Sequence, residues 1–401
     1  MERLAFSSDL GRQMRFIAGP RQVGKTTLAK RWLGNTRCSE FYYNWDRRDV
    51  RQRYRIDSSF LGSDLLKGAR SSPTWVCYDE VHKIPQWKNL LKDHFDTFED
   101  KVRFIVTGSA RLDFFRRSGD SLAGRYFLFR MLPIGLAELA GQTFDNLVPV
   151  GNAAEWIEKR IQTAKATPEQ LEALLNNSGF PEPLSQQTQK FLRPWTEQYH
   201  DTLIREDLRD LTRISGLENI ARVLDLLPTR IGSPLSVNAL RENVEVAHAT
   251  MVNYLKAMEL TYLIFTLKPY HRKLHKAVKK EGKVYFYNWT LPVDAAKAFE
   301  NYVAVELKFL TELWNAYGIG PFDLMYIRTK DGKETDFLIL KKNEPWLMVE
   351  CKLKDGSIDS HHFIHQQALK NIPLIQLCFS SKILQNPAAG VYRISAVTLF
   401  G

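Results

Sequence analysis

Apolar positions in this chain follow two different periods, and the alternation between them outlines the architecture. Short apolar runs at Arg15-Phe16-Ile17-Ala18, Trp75-Val76-Cys77-Tyr78 and Val102-Arg103-Phe104-Ile105-Val106-Thr107 read as buried strands of a parallel sheet, where both faces are covered. Phe127 to Pro133 reads as a further strand, and Lys25 to Leu33 as a helix. From 135 to 150 the pattern breaks into a loop around Gly141-Gln142 and Leu147-Val148-Pro149-Val150-Gly151. Residues 152–215 then read as mostly helical. Thr167-Pro168-Glu169-Gln170 supplies a cap and a first-turn proline, and Leu203, Ile204, Leu208 and Leu211 fall at helical spacing. Three more helices are expected near Glu218–Leu227, from Ser236 onward and around Thr250–Leu255, followed by strands at Tyr262–Leu267 and Lys283–Asn288. Lys297 to Leu310 is apolar on nearly every face and reads as a buried helix, with Glu300 stacked on Val303, Ala304 and Leu307. A buried carboxylate so placed needs a partner or a metal. Leu324–Thr329 and Glu334–Leu340 form a hairpin around Asp331-Gly332, and Trp346–Lys352 is a central strand.

The junction of the first strand and helix carries chemistry. Gly19-Pro20-Arg21-Gln22-Val23-Gly24-Lys25-Thr26 fits the phosphate-binding pattern G-x-x-x-x-G-K-[ST] at every fixed position, with Thr27 following it. Glycines let the backbone curl so that its N–H groups point at a phosphate, and the helix presents its positive end to the same anion. Lys25 would reach the β- and γ-phosphates, and the Thr26 hydroxyl would hold Mg²⁺. A plain glycine turn before a structural helix is the alternative, and the flanking strand and helix argue against it. The expected ligand is a nucleoside triphosphate. Asp79 and Glu80 end the second apolar strand, at the edge where α/β sheets place ligands. Asp79 would complete the Mg²⁺ shell and Glu80 would polarise the attacking water. Arg125, on a glycine hinge, could reach the γ-phosphate of a neighbouring subunit, or form only a surface ion pair. Arg116, Arg117 and Arg130 compete for that role.

Composition narrows the class. At 401 residues, 44% hydrophobic and 25% charged, the chain reads as a multidomain globular protein. It has no run of eighteen apolar residues and no signal-peptide pattern, so a cytoplasmic location and no membrane partner are expected. Cys38, Cys77, Cys351 and Cys378 lack C-x-x-C spacing and indicate neither a zinc site nor a disulfide framework. A net charge of +11 admits a nucleic-acid partner or merely solvated basic faces. The densest basic run, His271 to Lys280, could track a phosphate backbone.

The strand 102–107 runs into Gly108-Ser109-Ala110. Here the chain resembles AAA-type ATPases, in which a polar residue at this tip senses the γ-phosphate. Ser109 matches that position, Thr107 is the alternative, and Ser109 as a helix cap is equally compatible. Gly-Pro-Arg-Gln-Val-Gly-Lys-Thr-Thr, Tyr-Asp-Glu-Val-His-Lys, Thr-Gly-Ser-Ala and Leu-Ala-Gly-Arg together resemble one prokaryotic family. Gly179-Phe180-Pro181-Glu182-Pro183, Trp195, Tyr199 and Arg205-Glu206-Asp207-Leu208 agree with it. Its members join an AAA-type ATPase domain to a winged helix and a C-terminal domain similar to PD-(D/E)XK nucleases. The resemblance implies a helical lid over the nucleotide in 151–215 and strengthens the transfer of Arg125 to a second copy in a homo-oligomer.

The helices and strand pair of 218–288 suit a winged helix, with the basic run at the wing tip. Only Thr250, Asn253 and Lys256 offer polar readers on its recognition helix, so protein packing competes with DNA contact. Asp336, followed after a hairpin by Glu350-x-Lys352, has the spacing of a PD-(D/E)XK nuclease site. Asp336 and Glu350 would bind a metal and Glu300 would complete the site. Lys352, on the same sheet face as Glu350, would activate a metal-bound water. Cross-strand Asp–Lys pairs are also ordinary sheet chemistry.

The expected fold is therefore α/β in four parts: a P-loop AAA-type parallel sheet (1–150), a helical lid (151–215), a winged helix (216–292) and a restriction-endonuclease-like α/β domain (293–401). The expected function is Mg²⁺-dependent ATP binding and hydrolysis, with nucleotide state controlling a DNA-binding, nuclease-like half. The alternative is a nucleotide-switched interaction protein whose nuclease-like domain does not cleave.

Overall fold

The computed structural model describes residues 5–6, 10–68, 73–108, 122–209, 216–271, 281–379 and 384–401. The chain divides into two compact units, Met1–Leu132 with Leu260–Tyr262, and Pro133–Glu259 with Leu263–Gly401. No helix among the described residues is long and apolar enough to cross a membrane.

In the first unit, β1 (Met14–Ala18), β2 (Tyr42–Asn44), β3 (Thr74–Asp79), β4 (Val102–Thr107) and β5 (Tyr126–Arg130) form one sheet in the order β2-β3-β4-β1-β5. Every pairing is parallel. The apolar runs read as strands are β1, β3, β4 and β5, the last ending at Arg130 and not at Pro133, and β2 was not among them; β1 and β3 are buried along their whole length, as a sheet covered on both faces requires. The strand order matters for chemistry because β4 lies between β1 and β3. In register, Ile17 pairs with Thr107, Thr107 with Asp79, and Asp79 with Asn44. The carboxyl ends of four strands therefore stop on one line, where loops can converge on a ligand.

The second unit contains the helical segment, the strand pair and the C-terminal sheet. Its helices include Ala153–Thr163, Pro168–Asn177, Gln189–Thr202, Leu217–Leu226, Val237–Val244 and His248–Leu260. Thr167 and Gln170 make the reciprocal capping box implied by the Thr-Pro-Glu-Gln run. The expected loop at 135–150 holds a short helix, Leu136–Leu139, and a 3-10 turn at Phe144–Asn146. Two strands, β6 (Ile264–Leu267) and β7 (Lys283–Phe286), pair antiparallel after the third of three successive helices. The first starts two residues later than the apolar run suggests, because Tyr262 has a φ of 56° and cannot continue an extended strand.

Six strands form the last sheet: β8 (Phe322–Arg328), β9 (Glu334–Lys341), β10 (Glu344–Lys352), β11 (Leu374–Cys378), β12 (Leu384–Ala388) and β13 (Val391–Ser395), in the order β12-β13-β11-β10-β9-β8. The 22-residue helix Ala295–Ala316 buries thirteen side chains, as its all-round apolar pattern implies. Trp156, from the Ala153–Thr163 helix, packs at 5.2 Å from the ring of Trp314 and 5.8 Å from that of Trp346. The indole N–H groups of Trp156 and Trp314 both donate to the Leu147 carbonyl at 2.9 Å. Paired buried indoles of this kind need an acceptor, and the shared carbonyl fastens the helical segment to the long helix and to the sheet.

Candidate functional site

The loop between β1 and the Lys25–Asn35 helix is held by backbone that side chains would obstruct. Gly19 has a φ of 150°, and a Cβ there would lie 2.0 Å from the Met131 carbonyl oxygen. Gly24, at φ 97°, is the helix N-cap and makes no side-chain cap, and the first turn holds no acidic residue. The helix thus turns uncapped N–H donors and its positive end toward the loop. The Lys25 ammonium is buried and donates to the carbonyl oxygens of Gly19 at 3.0 Å and Pro20 at 2.6 Å.

Asp79, 2% exposed at the tip of β3, collects three hydroxyls. Thr26 Oγ1 donates to its Oδ2 at 2.8 Å, Tyr42 OH to the same oxygen at 2.5 Å, and Thr107 Oγ1 to Oδ1. Thr26 and Asp79 are 53 residues apart in sequence and meet as Mg²⁺ ligands would. Glu80 follows in a left-handed conformation, φ 56°, with its N–H donating to the Thr107 carbonyl at 3.0 Å. Burial pushes its carboxyl up to about 7, opposed by Lys25 and reinforced by Asp79. His82 Nε2 lies 3.4 Å from Glu80 Oε2.

Of the residues read from sequence, the structure brings Gly19, Pro20, Gly24, Lys25, Thr26, Asp79 and Glu80 together at this sheet edge. It also brings Tyr42, which no sequence pattern marked, and gives Thr107 a contact with Asp79. Ser109, Arg116 and Arg117 lie outside the described residues. Arg125 forks onto Asp96 within this chain, Nε to Oδ1 at 2.8 Å and Nη2 to Oδ2 at 3.0 Å.

A second constellation lies in the C-terminal half, where Glu300, Asp336, Glu350 and Lys352 do assemble. The Cys351 N–H donates to Asp336 Oδ2 at 3.0 Å, the Asp336 N–H to Glu350 Oε2 at 3.4 Å, and Lys352 Nζ lies 3.1 Å from Glu350 Oε1. The sequence did not show what stands between the acids. Lys283, on β7 and 1% exposed, places Nζ 3.4 Å from Glu300, 3.1 Å from Glu334 and 3.3 Å from Asp336. Tyr285 OH adds a 2.7 Å hydrogen bond to Glu300. Lys283 and Tyr285 are two apart on one strand and so share a face; that alternation was the available signal.

The electrostatics match. Burial lowers the affinity of Lys283 for its proton, yet Asp336 and Glu300 more than offset that and hold it charged. Burial pushes Glu300 up to about 7, with Asp336 adding to it, and Glu350 up to about 8 for the same two reasons. A divalent cation bridging Glu300 Oε1 and Asp336 Oδ1 would compete with the Lys283 ammonium for the same oxygens. The expected basic wing tip at 272–280 lies outside the described residues.

Residues 168–300 match the model of a domain of unknown function, DUF8612. An uncharacterized protein of Mycobacterium tuberculosis is 24% identical over 340 residues, which cover 82% of this chain and 68% of that protein. An uncharacterized protein of Methanocaldococcus jannaschii is 22% identical across 79% of this chain and 65% of its own length. Among solved structures, the Aeropyrum pernix ORC1 protein in complex with DNA is 15% identical, covering 73% of this chain and 88% of that one, with a TM-score of 0.29. AMPPCP-bound DnaA from Aquifex aeolicus is 14% identical, covering 64% and 85%, with a TM-score of 0.31. Residues 11–140 match the model of the AAA domain, and that stretch of the chain is an AAA domain.

Proposed function

We propose that this protein is a Mg²⁺-dependent ATPase whose nucleotide state controls its C-terminal half. The observation that carries the reading is the 2.8 Å contact of Thr26 Oγ1 with Asp79, beside the uncapped helix and the buried Lys25. Lys25 and the loop N–H groups would bind the phosphates, and Thr26 and Asp79 would hold Mg²⁺, which supplies charge neutralisation on the phosphate oxygens. Glu80 would take the proton of the attacking water, and Thr107 or Ser109 would report the γ-phosphate. Removing a general base costs about a hundredfold or more in rate. Glu80→Gln should therefore retain ATP binding and lose turnover by at least that factor in a phosphate-release assay. Unchanged turnover in the purified variant would sink the assignment.

For the nuclease-like site, one observation favours the non-cleaving reading: the Lys283 ammonium sits among the acids that a catalytic metal would need. The C-terminal half would then act as a docking part, with the helices and strand pair of 216–292 as a winged helix contacting DNA. Plasmid incubated with Mg²⁺ or Mn²⁺, with and without ATP, should bind in a salt-dependent way and stay supercoiled. Nicking by the wild type that Asp336→Ala abolishes would restore the nuclease reading.

A further inference from the structure

Two adjacent histidines open the Ser360–Ala368 helix, bordering the acid cluster without being among the residues read as its site. Asp359, His361 and His362 each place a potential ligand atom within 4.8 Å of the other two. Asp359 stands at the helix N-cap, yet its carboxylate makes no capping hydrogen bond. His361 Nε2 lies 2.7 Å from the Glu334 carbonyl oxygen. A carbonyl only accepts, so Nε2 carries the hydrogen and Nδ1 keeps a bare lone pair. His362 is 1% exposed, and its Nδ1 lies 2.9 Å from Thr335 Oγ1. The same hydroxyl lies 2.9 Å from His365 Nδ1. With a single hydrogen, Thr335 can accept from His362 and donate to His365. That arrangement leaves His362 Nε2 as a second bare lone pair. This atom is fully buried and has no hydrogen-bond partner among the described residues. Glu350 Oε1, at 3.6 Å, is beyond hydrogen-bond reach. A buried polar atom without a partner calls for an ion or a water.

We propose that Asp359, His361 Nδ1 and His362 Nε2 bind a divalent transition metal, with zinc the best fit. Two imidazoles and one carboxylate suit zinc; Mg²⁺ and Ca²⁺ take oxygen ligands. The outer contacts are those that such a site uses, since the Glu334 carbonyl and the Thr335 hydroxyl fix the tautomer and orientation of each imidazole. Three protein ligands would leave a fourth position for water, and Glu350 Oε1, 3.6 Å from His362 Nε2, is near enough to the site to accept a hydrogen bond from it. None of the three ligands contacts Lys283, although the site borders the acid cluster: Asp359 Oδ2 lies 4.0 Å from Lys352 Nζ and His362 Nε2 lies 3.6 Å from Glu350 Oε1.

The test uses the full chain, stripped with a chelator and titrated with Zn²⁺ by calorimetry and with Co²⁺ by visible absorption. The expected result is one equivalent bound, with Co²⁺ bands of mixed nitrogen and oxygen ligation. Asp359→Asn and His361→Gln change exposed or half-buried side chains, so they spare the core. Each should weaken binding by more than about tenfold, the loss that removing even an outer-shell partner of a metal site produces. Asp336→Asn should leave binding intact. Unchanged Zn²⁺ affinity in the Asp359→Asn, His361→Gln double variant, with native circular dichroism, overturns the proposal. Loss of binding in Asp336→Asn overturns it too, by moving the metal to the acid cluster.

Discussion

Lys25→Ala protein binds ATP at least about a hundredfold more weakly than the wild type in a nucleotide titration with Mg²⁺ present. The expectation rests on where the ammonium is held. Burial and two loop carbonyls, Gly19 at 3.0 Å and Pro20 at 2.6 Å, keep it inside the curl of the loop. A charged hydrogen bond contributes about 1.5–3 kcal/mol, and a lysine reaching two phosphates makes more than one. The uncapped helix end adds about 0.3–1 kcal/mol, which cannot replace a full charge. The alanine also leaves both carbonyls without this donor, so the empty loop loses its own ordering contact. A dissociation constant within about threefold of the wild type, in protein with native circular dichroism, removes Lys25 from the phosphate site.

Much of the first site was legible because its chemistry is local in sequence. Gly19, Gly24, Lys25 and Thr26 lie on one turn of chain, and their types are dictated by backbone curl, charge and hydroxyl ligation. Asp79 and Glu80 were legible because an apolar run that stops at two acids marks a strand end. Tyr42 was not. Its strand has three residues, and its hydroxyl matters only because β2 lies beside β3, a neighbour relation that no local pattern encodes.

The C-terminal half shows the opposite balance. Glu300, Asp336, Glu350 and Lys352 were legible as a spacing, and the structure does bring them together. The spacing could not report what fills the middle. Lys283 comes from 17 residues before Glu300 and 53 before Asp336, on a strand read as part of a different domain. The histidine pair was missed for a related reason. Its ligand character depends on Glu334 and Thr335, which fix the protons of His361 and His362 from β9, 27 residues earlier in the chain. Asp359 and the two histidines also sit closer in sequence than usual ligand motifs do.

Lys283→Met should destabilise the protein by about 3–5 kcal/mol in chelator-treated buffer at pH 8, the cost of removing one partner from a buried ion cluster. Methionine fills much of the same volume, so the loss reports charge and not a cavity. Glu300, Glu334 and Asp336 would face one another without the ammonium that now lies 3.1–3.4 Å from each. Glu300 is already raised to about 7, by burial and then by Asp336, with Lys283 opposing the rise. Without Lys283 its folded pKa rises further above the unfolded value, so the protonated form is the tolerated one. Stability from such a group is present below the unfolded pKa and lost as pH rises through the folded one. Below about pH 6 Glu300 is protonated in both folded proteins, so the deficit of the variant should grow as pH rises through about 7 to pH 8, where the charged Lys283 lets the wild type ionise Glu300 at lower cost. A divalent cation can take the vacated position, so Mn²⁺ should raise the melting temperature of the variant toward that of the wild type. The wild type itself should respond to Mn²⁺ far less at this cluster. Equal stability of the two proteins across that pH range, measured by urea unfolding without metal, would show that the ammonium is not what holds these acids together.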